Sequence, residues 1–167
     1  MKQKYLLENY KLLVVDFDGV LTDNFVYVSD SGQEFVKCSR SDGIGFDALK
    51  LLDIETIILS TAKNKVVHAR AEKLGVKCYF GVEAKEEMLL DLASQNLNQL
   101  SQVIYVGNDI NDLKAMKISG LSICPSDANP KIKSIANIVL QTNGGNGVVR
   151  EILEEIFNID LAKIIYN

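Results

Sequence analysis

The fold of this protein is decided by residues 12–19, Leu12-Leu13-Val14-Val15-Asp16-Phe17-Asp18-Gly19. Four apolar residues in a row, two of them β-branched, are typical of a strand that is buried on both faces of a parallel sheet. Two carboxylates and a glycine follow directly. Because ligands of open α/β sheets bind beyond the carboxyl ends of the strands, this segment predicts both the sheet and the place of a site.

Short apolar runs and longer amphipathic stretches alternate along the rest of the chain. The further runs are 56–59, 103–106, 121–123 and 138–140, and the predicted helices lie near 43–52, 63–74, 84–96, 110–118, 129–135 and 147–157. This alternation predicts an α/β fold with a doubly wound, mainly parallel sheet. Asp16, Ser60 and residues 107–109 then end three strands, and we expect them to meet at one edge.

One segment departs from the alternation. Residues 25–29 and 33–37 alternate around Asp30-Ser31-Gly32, which predicts a β-hairpin that projects as a small flap (about 25–37) beside the first site segment. Without linkers, repeats or low-complexity stretches, residues 1–167 are expected to form a single domain. Its C-terminal tail, about 144–167, is expected to include a closing amphipathic helix.

Composition narrows the classes of function. The chain has 167 residues and a formal net charge of −4, which argues against a nucleic-acid-binding surface. Neither a signal peptide nor an apolar run of membrane-spanning length is recognisable, so we expect a cytoplasmic protein with no membrane partner. The single histidine, His68, and three scattered cysteines leave little for a histidine triad or a zinc site. Chemistry must come from carboxylates, hydroxyls and lysine.

The carboxylates of Asp16 and Asp18 flank one residue at a strand end and would repel each other without a positive partner. Mg²⁺ prefers oxygen ligands and suits that need. Asp16 could then attack a phosphorus atom, while Asp18 protonates the leaving group and activates water. Gly19 lets the backbone turn sharply beside the phosphate. The plain alternative, for such a pair alone, is a strand end with an Asx turn and two solvated acids.

Ser60-Thr61 and Lys85 are candidates for binding phosphate. A hydroxyl at a strand end, opening into a helix, can bind a phosphate oxygen, although a plain helix N-cap is the alternative. Lys85 stands near a helix start, where a cation opposes the helix dipole, so its position needs another reason. Neutralising a phosphoryl group is one such reason, and a solvated surface lysine is the alternative.

Oxygen-bearing side chains also follow the strand at 103–106. In Gly107-Asn108-Asp109-Ile110-Asn111-Asp112, position 108 or 109 could ligate a metal ion, and Asp112 could hold Lys85 from behind. An Asn-capped helix start is compatible with that function. The sequence alone leaves open whether Asn108 or Asp109 is the ligand.

Together these segments resemble the haloacid-dehalogenase (HAD) phosphatase superfamily, over about residues 10–157. The closest resemblance is to the capless subgroup that contains 3-deoxy-D-manno-octulosonate 8-phosphate (KDO 8-phosphate) phosphatase, sialic-acid-type nonulosonate 9-phosphate phosphatases and the phosphatase-like domains of acylneuraminate cytidylyltransferases. The segments that carry it are 16–23, 40–43, 58–61, 69–75, 107–113 and 144–151.

The resemblance implies an aspartyl-phosphate mechanism with Asp16 as nucleophile and Asp18 as acid and base. It implies Mg²⁺ held by the Asp16 carboxylate, the Asp18 backbone carbonyl and the first side chain after Gly107 in the segment 107–113, which matches the superfamily's fourth motif. It implies phosphate held by Ser60 and Lys85. It also implies a homotetramer in which the hairpin and a neighbour's tail close the site. Asp42 and the segment that ends at Arg150 would then lie near a shared active site.

Two positions depart from the subgroup's pattern. Asn108 stands where the fourth motif commonly has an aspartate. Thr61-Ala62-Lys63 follows Ser60 where KDO 8-phosphate phosphatases commonly have Gly-Arg, so Lys63 is the nearest cation for a sugar-acid carboxylate. Both forms look more like the acylneuraminate-associated branch. We therefore expect a phosphatase for a 3-deoxy-ulosonic acid phosphate, either KDO 8-phosphate or a nonulosonate 9-phosphate. The alternative is a weakly active or non-catalytic oligomerisation module associated with acylneuraminate cytidylyltransferase.

Overall fold

The computed structural model describes residues 5–95 and 99–166. Its strands are β1 Leu12–Val15, β2 Thr22–Val28, β3 Glu34–Cys38, β4 Glu55–Leu59, β5 Lys77–Tyr79, β6 Val103–Val106, β7 Leu121–Cys124 and β8 Ile138–Val139. Six of them form one sheet in the order β5-β4-β1-β6-β7-β8, and every pairing within it is parallel. The predicted doubly wound parallel sheet is confirmed, and β1 lies near its centre.

Helices connect the strands. They are α1 Ser41–Leu51, α2 Lys65–Leu74, α3 Lys85–Gln95, α4 Leu113–Ile118, α5 Pro130–Lys133, α6 Val148–Glu151 and α7 Leu161–Tyr166. A 3₁₀ turn, Ile110–Asp112, precedes α4, and a π turn, Ile152–Ile156, follows α6. Residue 96 of the predicted third helix, and residues 1–4 and 167 of the predicted domain, lie outside the described residues. None of the described helices has both the length and the apolar character needed to cross a bilayer.

The sheet is buried on both faces, as the uninterrupted apolar runs predict. Leu13 and Val15 face a core closed by α1, α2, α6 and α7, whereas Leu12 and Val14 face a second core closed by α3, α4 and α5. All four β1 side chains are at most 1% exposed. Burying a side chain of this size contributes about 1.5–3 kcal/mol to folding, so β1 is firmly held and its end gives the site a rigid base.

The hairpin formed by β2 and β3 is longer than predicted. Val26 pairs with Val36 and Val28 with Glu34, and the register shifts between Thr22 and Val26. The hairpin makes its own two-stranded sheet, and the described residues contain no large cap in addition to it. Its base is tied to α2, because Arg70 donates to the Ser39 carbonyl over 2.8 Å. The flap therefore leaves the sheet directly after the segment that carries Asp16.

Two elements were absent from the sequence prediction. β5 is a three-residue edge strand, Lys-Cys-Tyr, which is too short and too polar to give an apolar run. α7 follows Phe157 as a separate helix, where the pattern predicted only one closing helix. The helix predicted to begin near Lys63 is present, with a start slightly further along the chain. Helix α2 begins at Lys65, and Asn64 caps it by accepting a hydrogen bond from the Val66 amide over 3.1 Å.

Candidate active site

Three strand ends meet at the carboxyl edge of the sheet, as predicted. Val15 of β1 pairs with Ile58 of β4 on one side and with Val106 of β6 on the other. The residues that follow these strands, Asp16, Ser60 and Gly107, therefore emerge next to one another. A cavity of about 330 Å³ opens at this edge. The residues lining it are Asp16, Asp18, Asn24, Thr61, Asn108, Asp109, Ile110 and Asn111.

Lys85 is buried beneath this cavity and bridges two carboxylates. Its ammonium lies 2.7 Å from Oδ1 of Asp16 and 2.7 Å from Oδ1 of Asp112, and its side chain is fully enclosed. Burial alone would lower the pKa of this lysine, but the two carboxylates raise it above the ordinary value, so the ammonium stays charged. A buried cation between two acids excludes a solvated surface lysine and accounts for the position of Lys85 at the start of α3.

Asp112 connects Lys85 to the loop after β6. Its Oδ1 accepts from Lys85 and from the Tyr105 hydroxyl, at 2.7 and 2.9 Å. Its Oδ2 accepts from the amides of Asn108 and Asp109, at 2.9 and 3.2 Å. Gly107 makes this approach feasible, because a Cβ there would lie 2.5 Å from the Asp112 Cβ. Four donors on one buried carboxylate fix the lysine and the loop relative to each other.

Tyr105 is a site residue that the sequence analysis missed. It lies in the middle of β6, fully buried, and its hydroxyl donates to Asp112 over 2.9 Å. Burial and the adjacent carboxylates raise the pKa of Tyr105 far above the ordinary value, so it remains a donor. A usable indication was present in the sequence: a tyrosine within an otherwise aliphatic buried strand needs a partner for its hydroxyl.

The electrostatics of Asp16 favour additional positive charge. Its Oδ1 accepts from the Phe17 amide at 2.7 Å and faces Lys85, which leaves Oδ2 as the oxygen that no described residue engages. Burial and the negative charge of Asp112 raise the pKa of Asp16 to about 8, although Lys85 opposes the shift. One lysine thus does not neutralise two buried carboxylates. A divalent cation beside Asp16 would lower its pKa and hold it ionised.

Asp18 is half-buried on the cavity wall. Burial, and to a smaller extent Glu34 of the hairpin, raises its pKa, while Lys85 lowers it. A carboxyl with a raised pKa keeps its proton closer to neutrality, which suits an acid that protonates a leaving group. Asp18 is therefore placed, and its pKa shifted, in a way compatible with the predicted role.

Asn108 presents an unused oxygen beside these carboxylates. The residue is 6% exposed, and its Oδ1 has no hydrogen-bond partner among the described residues. Its side chain packs against Gly19, where φ is +80° and a Cβ would collide with the Asn108 amide. Asp109, in contrast, is exposed and occupied, because its Oδ1 accepts from the Ile110 amide at 2.8 Å and from Asn129 at 3.2 Å. Of the two candidates, Asn108 has the free, buried oxygen.

The oxygen atoms of Asp16, Asp18 and Asn108 are suitable ligands for a hard divalent cation. No group of three or more His, Cys, Asp or Glu side chains within residues 5–95 and 99–166 could hold a metal ion. An ion at this edge would therefore need oxygen ligands in addition to carboxylates, and the Asn108 amide oxygen is one of them. Buried polar atoms without partners are costly, and the orphaned Asn108 Oδ1 gains a partner if an ion binds there.

Of the three remaining candidates for phosphate or substrate binding, Ser60, Thr61 and Lys63, only Thr61 lines the cavity. Ser60 is buried, and its Oγ accepts from the Ala62 amide at 3.1 Å, so it shapes the turn after β4 and is not the cap of α2. Thr61 lines the cavity and accepts from the Asn111 amide group at 3.3 Å. Lys63 is not among the lining residues. It is exposed and forms an ion pair with Glu83 at 3.3 Å.

Asp42 and Arg150 lie outside the cavity of this chain. Asp42 is 1% exposed, and its Oδ1 accepts from the Val149 amide at 2.8 Å, so it joins α1 to α6 and does not face substrate. Burial raises the pKa of Asp42 to about 6. Arg150 pairs with Glu154 in a separate groove. Neither position supports substrate contact within one chain.

Asn24 is a further lining residue that was not predicted. Its φ of +65° places it in the left-handed region, which asparagine tolerates better than most residues. The Asn24 and Gly19 amides both donate to the buried Thr22 hydroxyl, at 3.2 and 3.1 Å. Nothing in the residue pattern distinguished Asn24 from other hairpin positions, because its place depends on the register shift in β2.

Comparison with known proteins agrees with the fold. Residues 81–152 match the family model of haloacid dehalogenase-like hydrolases. The 3-deoxy-D-manno-octulosonate 8-phosphate phosphatase KdsC of Haemophilus influenzae is 35% identical over 157 residues, covering 93% of this chain and 86% of the relative.

Solved structures give the same result. The cobalt-bound 3-deoxy-D-manno-octulosonate 8-phosphate phosphatase of Haemophilus influenzae superposes with a TM-score of 0.89 at 31% identity, covering 96% of this chain and 99% of that one. The enzyme of the same name from Moraxella catarrhalis, in complex with magnesium, phosphate and KDO, gives 0.85 at 29% identity, covering 95% and 88%.

A parallel sheet with a carboxylate pair after its first strand and a buried lysine facing it defines, with these matches, a phosphoric monoester hydrolase. The chain belongs to the haloacid dehalogenase-like hydrolases, in the group of the 3-deoxy-D-manno-octulosonate 8-phosphate phosphatases.

Proposed function

We propose that this enzyme hydrolyses the terminal phosphate of a 3-deoxy-ulosonic acid phosphate, with KDO 8-phosphate as the first candidate. The observation that carries the proposal is the buried Lys85, held 2.7 Å from both Asp16 and Asp112 at the base of the cavity. A lysine in this position can neutralise a phosphoryl group beside the attacking carboxylate. The substrate class comes from the relatives that share 35% of the sequence.

In the first step, an oxygen of the Asp16 carboxylate attacks phosphorus. The Phe17 amide and Lys85 both engage Oδ1, which fixes the orientation of the carboxylate. The new Asp16 O–P bond forms as the ester P–O bond breaks. Asp18 gives its proton to the leaving alkoxide, and its raised pKa keeps that proton available.

In the second step, water attacks the phosphorus of the aspartyl-phosphate. Asp18, now ionised, takes a proton from the water as the Asp16 O–P bond breaks, and inorganic phosphate and the free carboxylate are restored. Lys85 stays charged throughout because two carboxylates raise its pKa. Thr61, which lines the cavity, and Ser60 at the end of β4 are the proposed additional hydroxyl donors to the phosphate.

The residues proposed to hold Mg²⁺ are Asp16, Asp18 through its backbone carbonyl, and Asn108 through Oδ1. When bound, Mg²⁺ supplies positive charge that offsets the phosphoryl oxygens and the Asp16 carboxylate. The unpartnered Asn108 Oδ1 supports Asn108 as third ligand over Asp109, whose Oδ1 already caps the turn at Ile110.

A sialic-acid-type nonulosonate 9-phosphate is the second candidate substrate. The observation that favours it is the segment after β4, where Thr61-Ala62-Lys63 replaces the Gly-Arg expected for KDO 8-phosphate. No lysine or arginine is among the described residues that line the cavity, and Lys63 is paired with Glu83. A substrate carboxylate would thus find no cation on the lining within one chain.

The non-catalytic alternative, an oligomerisation module associated with acylneuraminate cytidylyltransferase, is disfavoured by the cost of the site. A buried ion pair contributes little to stability compared with apolar side chains of similar volume. A pure scaffold would have no physical need for Lys85 between two acids, with Asn108 left unpartnered. Complete absence of turnover in the panel below would favour this alternative.

We also propose that the active form is a homotetramer in the cytoplasm, without nucleic-acid or membrane partners. Apolar side chains of the hairpin support assembly, because Phe25, Tyr27, Val28 and Phe35 are 71%, 62%, 62% and 51% exposed. Exposed apolar clusters of this kind commonly mark association surfaces. Light scattering at micromolar concentration should give the mass of four chains. A monomer would contradict this assembly and the idea that Arg150 lies at a shared site.

The substrate proposal is tested by steady-state kinetics on a panel. Purified enzyme with Mg²⁺ should release phosphate from KDO 8-phosphate, a nonulosonate 9-phosphate or both, at higher kcat/KM than from ribose 5-phosphate or glucose 6-phosphate. Equal kcat/KM for all four compounds would overturn the substrate class while leaving the phosphatase intact. Preference between the first two decides between the candidates.

A further inference from the structure

We infer that Asp42 is a positioning residue, which holds the Gly-rich loop 144–147 against the backbone of the catalytic turn Phe17–Leu21. This inference rests on the proposed function of that turn. It accounts for two features that phosphate chemistry does not use: a buried carboxylate outside the cavity, and consecutive glycines far along the chain from Asp16.

Asp42 caps a helix that belongs to another part of the sequence. Its Oδ1 accepts from the Val149 amide in the first turn of α6, over 2.8 Å and across 107 residues. The N-cap position of α6 is Gly147, which has a φ of +98° and no side chain to cap with. Asp42 thus supplies the acceptor that the local sequence lacks. Gly45 completes the fit, since a Cβ there would lie 3.0 Å from Val149 Cγ1.

The loop that precedes α6 rests directly on the catalytic turn. The Gly145 amide donates to the Val20 carbonyl over 2.9 Å. A Cβ on Gly145 would lie 2.6 Å from the Asp23 amide nitrogen, and one on Gly144 would collide with the Gly19 carbonyl. Only glycines permit this backbone-to-backbone contact. The loop is therefore an outer wall of the turn that carries Asp18 and Gly19.

The wall continues to the proposed metal ligand. Gly19, which the loop contacts on one side, packs against the Asn108 side chain on the other. A shift of the loop would let the turn relax and would move Gly19 and Asn108 relative to Asp16. Since small misplacements of reacting groups are costly in rate, the connection from Asp42 to the turn bears on catalysis and not only on stability.

The two carboxylate oxygens of Asp42 have different environments, so mutations can remove the hydrogen-bond acceptor or leave it in place. Oδ1 carries the hydrogen bond to Val149, whereas Oδ2 is buried without a partner in the described part of the chain. Asp42→Asn keeps the Oδ1 acceptor for the Val149 amide and replaces only Oδ2. Asp42→Ala removes the acceptor.

We expect Asp42→Ala to lower kcat about tenfold or more with KM changed less than about threefold, and Asp42→Asn to retain kcat within about threefold. Hydrogen exchange gives a readout apart from turnover: the Gly145 amide should exchange faster in Asp42→Ala and at the wild-type rate in Asp42→Asn. Wild-type kcat and wild-type Gly145 exchange in Asp42→Ala would overturn the inference, as would an equal loss of kcat in Asp42→Asn.

A second variant covers the case in which Asp42→Ala does not fold. Gly145→Ala should lower kcat comparably by pressing on Asp23 and Thr22. Gly75→Ala is the matched control, because Gly75 also has positive φ, +63°, but faces only the flexible end of Lys50. Equal kcat in the two alanine variants would contradict the proposal that the loop 144–147 supports the turn Phe17–Leu21. If wild-type enzyme releases no phosphate from any compound, the proposed function fails, and the Gly145 exchange rates still decide the role of Asp42.

Discussion

The Lys85 ammonium donates to Oδ1 of Asp112 over 2.7 Å, and both side chains are completely buried. Asp112 also receives the amides of Asn108 and Asp109, so the lysine and the loop after β6 share one anchor. The same carboxylate therefore positions two groups: the ammonium that is proposed to neutralise the phosphoryl group, and the loop that carries the proposed metal ligand. A change at Lys85 or Asp112 should disturb both.

Replacing Lys85 with methionine should abolish most activity and weaken the fold. It leaves Asp16 and Asp112 buried without their cation, which costs about 3–5 kcal/mol of unfolding free energy. Losing the charge beside the phosphoryl group should lower kcat at least about 10²-fold. Phosphate release and urea unfolding measure the two effects.

Lys114→Met is the control for that substitution, since Lys114 is exposed and pairs loosely with Glu86 at 3.7 Å. It should change the unfolding free energy by less than about 1 kcal/mol. If Lys85→Met were as active and as stable as Lys114→Met, the assignment of Lys85 would be wrong.

Tyr105→Phe should show how much the Tyr105 hydroxyl, one of the four hydrogen-bond donors to Asp112, contributes to stability and to kcat. The substitution removes only the hydroxyl that donates to Asp112 over 2.9 Å. A hydrogen bond to a charged group contributes about 1.5–3 kcal/mol, so we expect a stability loss in that range and a reduced kcat. Tyr10→Phe is the control, because Tyr10 is buried but packs its ring on Phe157. Equal effects of the two substitutions on stability and kcat would contradict the role of Tyr105.

The sequence predicted the fold well because its central strands are rich in buried apolar residues. β1, β6 and β7 are buried throughout and β4 is buried at 57–59, so a short apolar stretch marks each of them in the sequence. β5 escaped prediction because an edge strand of three residues needs only its pairing with β4, which is a tertiary property. The start of α2 at Lys65 was missed because Asn64, and not Ser60 or Thr61, supplies the cap.

Asn108 and Asp109 can be separated by their effects on metal affinity. Asn108→Ala removes the free, buried oxygen and should raise the Mg²⁺ concentration for half-maximal activity at least about tenfold. Asp109→Ala removes the cap at Ile110 and should cost about 1 kcal/mol of stability, with a smaller effect on Mg²⁺ dependence. Calorimetric titration with Mg²⁺ gives the affinities without turnover. The reverse order of effects would make Asp109 the ligand.

The pKa of Asp42 makes stability depend on pH in a defined window. Its folded value of about 6 lies above the ordinary value of 3.8, so the folded state holds the proton more tightly. Stability should therefore fall as pH rises from about 4 to 6, by up to about 3 kcal/mol from this group. Asp42→Asn should be more stable than wild type at pH 7.5 and lose that advantage below pH 4. A stability difference that does not vary with pH would contradict this.

The site was only partly predictable for physical reasons. Asp16 converges with the residues after β4 and β6 because these strands are neighbours in a parallel sheet. The pattern of strands in the sequence is sufficient to predict that convergence. The burial of Lys85 between two acids, the Tyr105 hydroxyl behind it and the lining position of Asn24 depend on packing across distant segments. Asp42 was associated with a shared active site, but its oxygen faces an amide 107 residues away. Residue type alone does not distinguish a substrate ligand from a cap.

The proposed reaction depends on attack of Asp16 on phosphorus, and the Asp16→Asn substitution removes that nucleophile. The asparagine oxygen can still accept from the Phe17 amide, so circular dichroism and the melting profile should show an intact fold. With Mg²⁺ and KDO 8-phosphate, or whichever panel compound the wild type prefers, wild-type enzyme should release phosphate and Asp16→Asn should release none above background. Sustained turnover by a folded Asp16→Asn enzyme would contradict the account.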